Sequence, residues 1–294
     1  MNQFKTLALL AMLSGLLVAI GYYIIGGTTG IIIGIVMAAL MNLGSWYFSD
    51  KIALASYGAQ PVSREEAPEL YAMLDRLSQK AEIPTPPLYM VPSPAANAFA
   101  TGRDPQHAAV AVTQGIVNLL STDELEGVIG HELTHVVNRD TLTQAVAATI
   151  GGAISQLAYM AQWASYGMAY GGDRDERQGS NPIGLLLAVF LAPLAATVIQ
   201  MAISRTREFE ADAGSARLTG NPRALASALQ KLELGSRQMP IQGNPSFEPL
   251  LIVNAFSGQG LASLFSTHPS TEVRIERLME LEQQMLQAGT PSFS

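Results

Sequence analysis

From Thr6 to Ser49 the chain contains no charged residue. The run divides at Gly26-Gly27-Thr28-Thr29-Gly30 into two halves, Leu7 to Ile25 and Gly30 to Phe48, each of 19 residues. As helices rising ~1.5 Å per residue, each half measures roughly 28 Å, close to the ~30 Å hydrocarbon core of a bilayer. The segment therefore predicts a transmembrane hairpin, with Tyr22, Tyr23, Trp46, Tyr47 and Phe48 as aromatic anchors at its ends. The rival for the first half is a cleaved signal peptide with Lys5 as its positive region. No small-x-small cleavage site stands out, and a second apolar half follows at once.

Two further uncharged stretches come later, Leu142 to Tyr170 and Ile183 to Ser204, the second with Pro193 inside it. The first is rich in Ala, Gly, Ser and Gln, which suits a buried or cavity-lining helix. The second is more apolar and is read as a span, with a buried core helix as the alternative. Lys5, Lys51 and Arg64 flank the first hairpin while its turn is uncharged, which places both of its ends in the cytoplasm. Arg139, Arg205 and Arg207 around the later stretches favour the same orientation only modestly, because their connection, Gly171 to Ser180, also carries Arg174 and Arg177.

Composition narrows the function. Hydrophobic residues make up 48% of the 294 positions and charged residues only 14%, and the net charge of -7 leaves no basic footprint for nucleic acid. Cysteine is absent, so any metal must be held by His, Asp or Glu.

The polar part begins at Lys51. Ser63-Arg64-Glu65-Glu66 has the spacing of a capping box and predicts a helix to about Glu82, stopped by Pro84, Pro86 and Pro87. Leu88 to Val91 and Ala108 to Thr113 predict two strands of a small sheet. Ser121-Thr122-Asp123-Glu124 is a second capping box, behind which Leu125, Val128, Ile129, Leu133, Val136 and Val137 recur at helical spacing. Further on lie a polar helix around Arg207 to Leu218, another opening at Asn221-Pro222, a loop from Ser236 to Gly260, and a last helix from Thr271 to Gln287 capped by Ser270. The resulting division is 1–50 as a transmembrane hairpin, 51–141 as the first part of a catalytic domain, 142–204 as a second apolar hairpin, and 205–294 as the second part of the catalytic domain.

Within the second capped helix, His131 and His135 stand one turn apart and can direct two imidazole nitrogens at one ion. Glu132 projects beside them, where it can take a proton from a zinc-bound water and so assist peptide-bond hydrolysis. Two of the four histidines in the chain fall in this five-residue segment. A catalytic zinc needs a third protein ligand and an open fourth position. The segment after His135 lacks the H-x-x-G-x-x-H extension, so a carboxylate is the better candidate. Glu208 and Asp212, again one turn apart, offer a ligand and a hydrogen-bond acceptor for a ligating imidazole, or else belong to a solvated charged face.

The His131-Glu132-Leu133-Thr134-His135 helix, the segment Ser204-Arg205-Thr206-Arg207-Glu208-Phe209-Glu210-Ala211-Asp212, and Thr267-His268-Pro269 ahead of Arg274 together resemble the HtpX family of bacterial membrane zinc proteases, relatives of the CAAX prenyl proteases. The resemblance covers nearly the whole chain, apolar stretches included. It implies a mainly α fold with a small β-sheet, a zincin-like (gluzincin) catalytic domain combined with up to four transmembrane helices, and one Zn2+ per subunit. It implies that Glu208 is the third zinc ligand and Asp212 its companion, that His268 stabilises an oxyanion, and that Arg274 pairs with Asp212. Asn97-Ala98-Phe99-Ala100 resembles the family's edge strand, along which an extended substrate would pair. His268 as a simple helix cap and Arg274 as a surface cation are the plainer alternatives, and His107 is read as exposed and without a role.

The expected activity is a zinc-dependent endopeptidase at a bacterial inner membrane, facing the cytoplasm and acting on misfolded or damaged membrane proteins. The competing readings are a non-catalytic zinc-binding membrane scaffold and a prenyl-protein protease. The latter would need a chamber walled by more helices than four apolar stretches provide. A transporter is disfavoured because the candidate ligands lie on polar helices beside the spans.

Overall fold

The computed structural model describes residues 2–24, 26–170, 205–239, 250–252 and 269–289. His268, the fourth apolar stretch and most of the Ser236 to Gly260 loop lie outside the described residues.

Helices α1 (Asn2–Ile24) and α2 (Gly27–Tyr47) form the N-terminal hairpin. The break falls at Gly26, whose φ of 89° is open to glycine without strain. The buried positions of α2 are Gly30, Gly34, Ala38 and Ser45, while Ile32, Ile33, Ile35, Val36, Met37, Leu40 and Leu43 are exposed. A Cβ on Gly21 or Gly30 would collide with the backbone of the other, so the helices meet backbone to backbone near the turn. Small residues inside and large aliphatic ones outside reverse the soluble pattern and match helix pairing in lipid. Among the described residues, α2 alone is long and apolar enough to cross a membrane. The apolar part of α1, Thr6–Ala19, is shorter.

Helix α3 (Ser49–Ser56) and strand β1 (Gln60–Pro61) follow. Next comes α4 (Pro68–Lys80), four residues later than the Ser63 capping box predicts. The box does close, with the Ser63 N–H donating to Glu66 Oε2 at 2.8 Å and the Glu66 N–H to Ser63 Oγ at 3.3 Å. It secures only a turn, because Pro68 bars Ala67 from helical backbone and itself suits the first helical position.

Strands β2 (Leu88–Val91), β3 (Ala98–Gly102) and β4 (Ala108–Thr113) complete a mixed sheet of order β1-β2-β4-β3. β2 runs parallel to β4, pairing Leu88 with Val110. β3 runs antiparallel to β4, pairing Ala98 with Val112, and stands at the sheet edge. The central strand β4 is buried on both faces: Val110 and Val112 enter the main core with Leu74, Leu77, Ile129 and Leu133, and Ala109 and Ala111 pack with Phe99 and Tyr57.

After a short α5 (Gln114–Leu119) come α6 (Thr122–Val137), α7 (Asp140–Tyr170), α8 (Arg205–Thr219), α9 (Pro222–Gln238) and α10 (Thr271–Gly289). The molecule is thus mainly helical with one small mixed sheet. α7 holds the third apolar stretch, and its first half packs Val146, Ala147, Ile150 and Ile154 against Leu9 and Leu13 of α1.

Candidate metal centre

α6 is nucleated by the Ser121 box, in which the Ser121 N–H donates to Glu124 Oε2 at 2.8 Å. Glu124 also receives Ser227 Oγ at 2.6 Å and Lys231 Nζ at 2.7 Å from α9. Burial opposes charge on its carboxyl, but the Lys231, Ser227 and Ser121 donors outweigh it and pull it down to about 2. One face of α6 sends Leu125, Val128, Ile129, Leu133 and Val136 into the core. The helix is buried from Glu124 to Val136 apart from the partly buried Glu126, so His131, Glu132 and His135 occupy an interior polar face.

α8 crosses α6 at close range. A Cβ on Gly214 would overlap the Thr134 side chain, and Ser215 Oγ donates to the Gly127 carbonyl at 2.6 Å. This approach carries Glu208 onto the histidines. His131 Nε2 and His135 Nε2 are 3.1 Å apart, and Glu208 Oε2 and Oε1 lie 3.7 Å and 3.5 Å from them respectively. A tetrahedral ion with bonds of ~2.0–2.2 Å separates its ligand atoms by roughly 3.3–3.6 Å, so the three groups have the spacing of one zinc coordination face.

Each imidazole is held from behind. His131 Nδ1 lies 2.9 Å from Asp212 Oδ1, and His135 Nδ1 lies 3.1 Å from Asp140 Oδ2. A carboxylate only accepts, so it favours the proton on Nδ1, and the neutral ring then offers its Nε2 lone pair to a metal. Arg274, fully buried on α10, donates to Asp212 from Nε at 2.9 Å and Nη2 at 2.6 Å, and from Nη1 to the Ile252 carbonyl at 2.9 Å. Arg207 Nη1 donates to Asp140 Oδ1 at 3.3 Å.

Burial dominates the titration of His131 and lowers it to about 4, with His135 and Arg274 adding to the effect. Burial opposes charge on His135 as well, but Glu208, Asp140 and Glu132 overcome it and raise the ring to about 9. Glu132 is pushed up to about 8, chiefly by burial. Its Oε2 accepts the Ala100 N–H of β3 at 2.8 Å.

The structure brings His131, Glu132, His135, Glu208, Asp212 and Arg274 into one buried cluster, with Ala100 at its rim. Arg274 is an interior cation and not a surface one. Asn97 precedes β3, and its Oδ1 is taken by the N–H groups of Ala98 and Ile252. Ala98 and Phe99 are buried. His107 is exposed and pairs with Asp104. Asp140 and Arg207 are absent from the sequence reading of the site. Along an unbroken helix Asp140 would sit about 140° round from His135. It reaches His135 only because Arg139 takes a left-handed φ of 57°, which no residue-type signal announces.

Residues 64–282 match the model of peptidase family M48. A protease HtpX homolog of Trichormus variabilis is 67% identical over 286 residues, covering 97% of this chain and 98% of its own. A protease HtpX homolog of Pyrococcus furiosus is 51% identical over 282 residues, with 96% of each chain covered. The crystal structure of S. mikatae Ste24p shares the fold with a TM-score of 0.50 at 19% identity, over 94% of this chain and 65% of that one.

Proposed function

The chain belongs to peptidase family M48 and is a metalloprotease, and from that premise we propose that it is a zinc-dependent endopeptidase of the cell membrane. The observation that carries the zinc reading is the convergence of His131 Nε2, His135 Nε2 and the Glu208 carboxylate at tetrahedral spacing, with both Nδ1 atoms committed to carboxylates. When bound, zinc supplies a Lewis acid that polarises a carbonyl and makes water acidic near neutral pH.

In this reading His131, His135 and Glu208 hold the metal, and Asp212 with Arg274 orients His131. Glu132 takes the proton of the attacking water and hands it to the amide nitrogen of the leaving segment. A cation at the three ligands favours the carboxylate form of Glu132, opposing the burial that raises it. An extended substrate adds along β3 at Asn97 to Ala100, where a substrate carbonyl taking the Ala100 N–H in place of Glu132 releases that carboxylate for the reaction. His268 is assigned to the developing oxyanion, and the catalytic architecture to the zincin-like (gluzincin) type.

The lipid-compatible exterior of α2 supports a membrane location. The flanking Lys5, Lys51 and Arg64 favour a catalytic part, split as 51–141 and 205–294, on the cytoplasmic side. Such a site takes membrane proteins, cut in loops or after partial extraction while misfolded.

The test uses full-length protein in proteoliposomes. A destabilised membrane protein should be cut in its cytoplasmic loops, with cleavage abolished by a chelator and restored by zinc. Because the chain lacks cysteine, a single Gln106→Cys label reports sidedness, and an impermeant thiol reagent should fail to reach it from outside the cell. Cleavage that survives metal removal, or labelling from outside, would contradict the proposal.

A further inference from the structure

We propose that Asp140 and Arg207 form a second positioning pair, which fixes His135 for metal binding as Asp212 and Arg274 fix His131. The inference rests on the reading of the cluster as a zinc centre. Asp140, the first residue of α7, is fully buried and divides its carboxylate between His135 Nδ1 at 3.1 Å and Arg207 Nη1 at 3.3 Å. Asp212 divides its own between His131 Nδ1 and Arg274 in the same way. Each histidine is therefore backed by an Asp–Arg pair, although the pairs come from different elements: Asp212 and Arg274 from α8 and α10, Asp140 and Arg207 from the starts of α7 and α8.

Two costs are concentrated on this contact. Arg139, a residue with a side chain, holds a left-handed φ of 57° immediately before Asp140, a conformation that strains non-glycine backbone. Arg207 is buried, and Nε and Nη2 have no hydrogen-bond partner among the described residues. Buried cations with unspent donors weaken a fold. The left-handed Arg139 also ends α6 in the ordinary way, but stability alone gives no reason to bury the Arg207 donors. Holding the His135 ring so that Nδ1–H meets a carboxylate and Nε2 faces the ion does, because such a partner fixes the tautomer and raises ligand basicity.

The experiment measures zinc affinity of the full-length protein by competition with a chromophoric chelator, alongside the visible spectrum of the cobalt-substituted form and melting of the metal-free form. Asp140→Asn keeps the shape and removes the charge. It should weaken zinc binding ~10–100-fold and alter the cobalt bands; the buried Arg207 cation that it strands lowers the melting temperature of the metal-free protein, and adding Arg207→Gln should restore the melting but not the affinity. Arg207→Gln should shift affinity in the same direction by less, and Asp140→Glu should recover part of the loss. Zinc affinity within threefold of wild type in Asp140→Asn, with an unchanged cobalt spectrum, would overturn the proposal. Affinity that recovers together with metal-free stability in the Asp140→Asn, Arg207→Gln double variant would also overturn it, since Asp140 would then be a packing residue. Should wild type itself bind no zinc, the zinc-centre reading fails first, and the two failures are told apart.

Discussion

Replacing Arg274 by glutamine removes the cation that joins α10 to the candidate metal centre, and the structure sets the size of the effect. Arg274 makes two short bonds to Asp212 and one to the Ile252 carbonyl, all away from water. Burial alone would push the Asp212 carboxyl up, yet Arg274 and His131 hold it below the usual carboxylate range. Without Arg274 a buried carboxylate loses its counter-charge, and breaking such a pair from one side costs about 3–5 kcal/mol. At ~2–4 °C per kcal/mol for a chain of this class, a loss near the middle of that range lowers the melting temperature by roughly 8–16 °C. The assay is thermal unfolding of metal-free protein in detergent, followed by near-UV circular dichroism. The sign of the pH effect follows. In the variant, Asp212 gains a proton more easily folded than unfolded, so the deficit is largest at neutral pH and shrinks as pH falls. Adding Asp212→Asn removes the stranded charge and should restore more than half of the lost stability without restoring zinc affinity. A single variant that loses less than about 1 kcal/mol, or a double variant no more stable than the single, would refute the reasoning.

Glu124 has a folded pKa of about 2 against an ordinary 4.5, so its contribution is complete above pH 4.5 and fades as pH falls towards 2. At ~1.4 kcal/mol per unit, and discounted because Lys231 is partly solvated, Glu124→Gln should cost about 2 kcal/mol at pH 7 and little near pH 2. Denaturant titrations across that range check it, and a cost independent of pH would count against the Lys231 and Ser227 contacts. Gly214→Ala should destabilise the protein by about 1–3 kcal/mol despite alanine's better helix propensity, because its methyl group meets Thr134. Adding Thr134→Ala should restore part of the stability and of the zinc affinity. A neutral Gly214→Ala would mean that α6 and α8 are less tightly apposed than described.

The metal helix is legible in sequence because its signals are local. Ser121 and Glu124 fix its start, and Leu125 to Val136 supply the 3.6-residue period. β2 and β4 match residue for residue because each is a short apolar run, Leu88 to Val91 between Pro87 and Pro92 and the alanine- and valine-rich Ala108 to Thr113 ahead of Gly115. α3, β1 and α5 are too short to carry a period of their own. The Ser63 box misleads because its hydrogen bonds form equally well in an isolated turn, and only Pro68 decides where the helix begins. Within the site, the spacing of Glu208 and Asp212 shows that they share a helix face but not what that face meets. The meeting depends on Gly214 admitting Thr134. Asp140 is less legible still, since its contact with His135 requires a left-handed backbone at Arg139, where the sequence offers neither glycine nor asparagine.

The central claim is that His131, His135 and Glu208 hold zinc while Glu132 moves the proton, and the zinc-loaded Glu132→Gln variant separates the two roles. Metal analysis of the purified variant should find one zinc per chain, as in wild type. Its cleavage rate on an unfolded protein substrate should fall by at least ~10²–10⁴-fold, the contribution of a positioned general base. Cleavage at a near wild-type rate with zinc in place, or loss of the metal along with the activity, would contradict this division of roles.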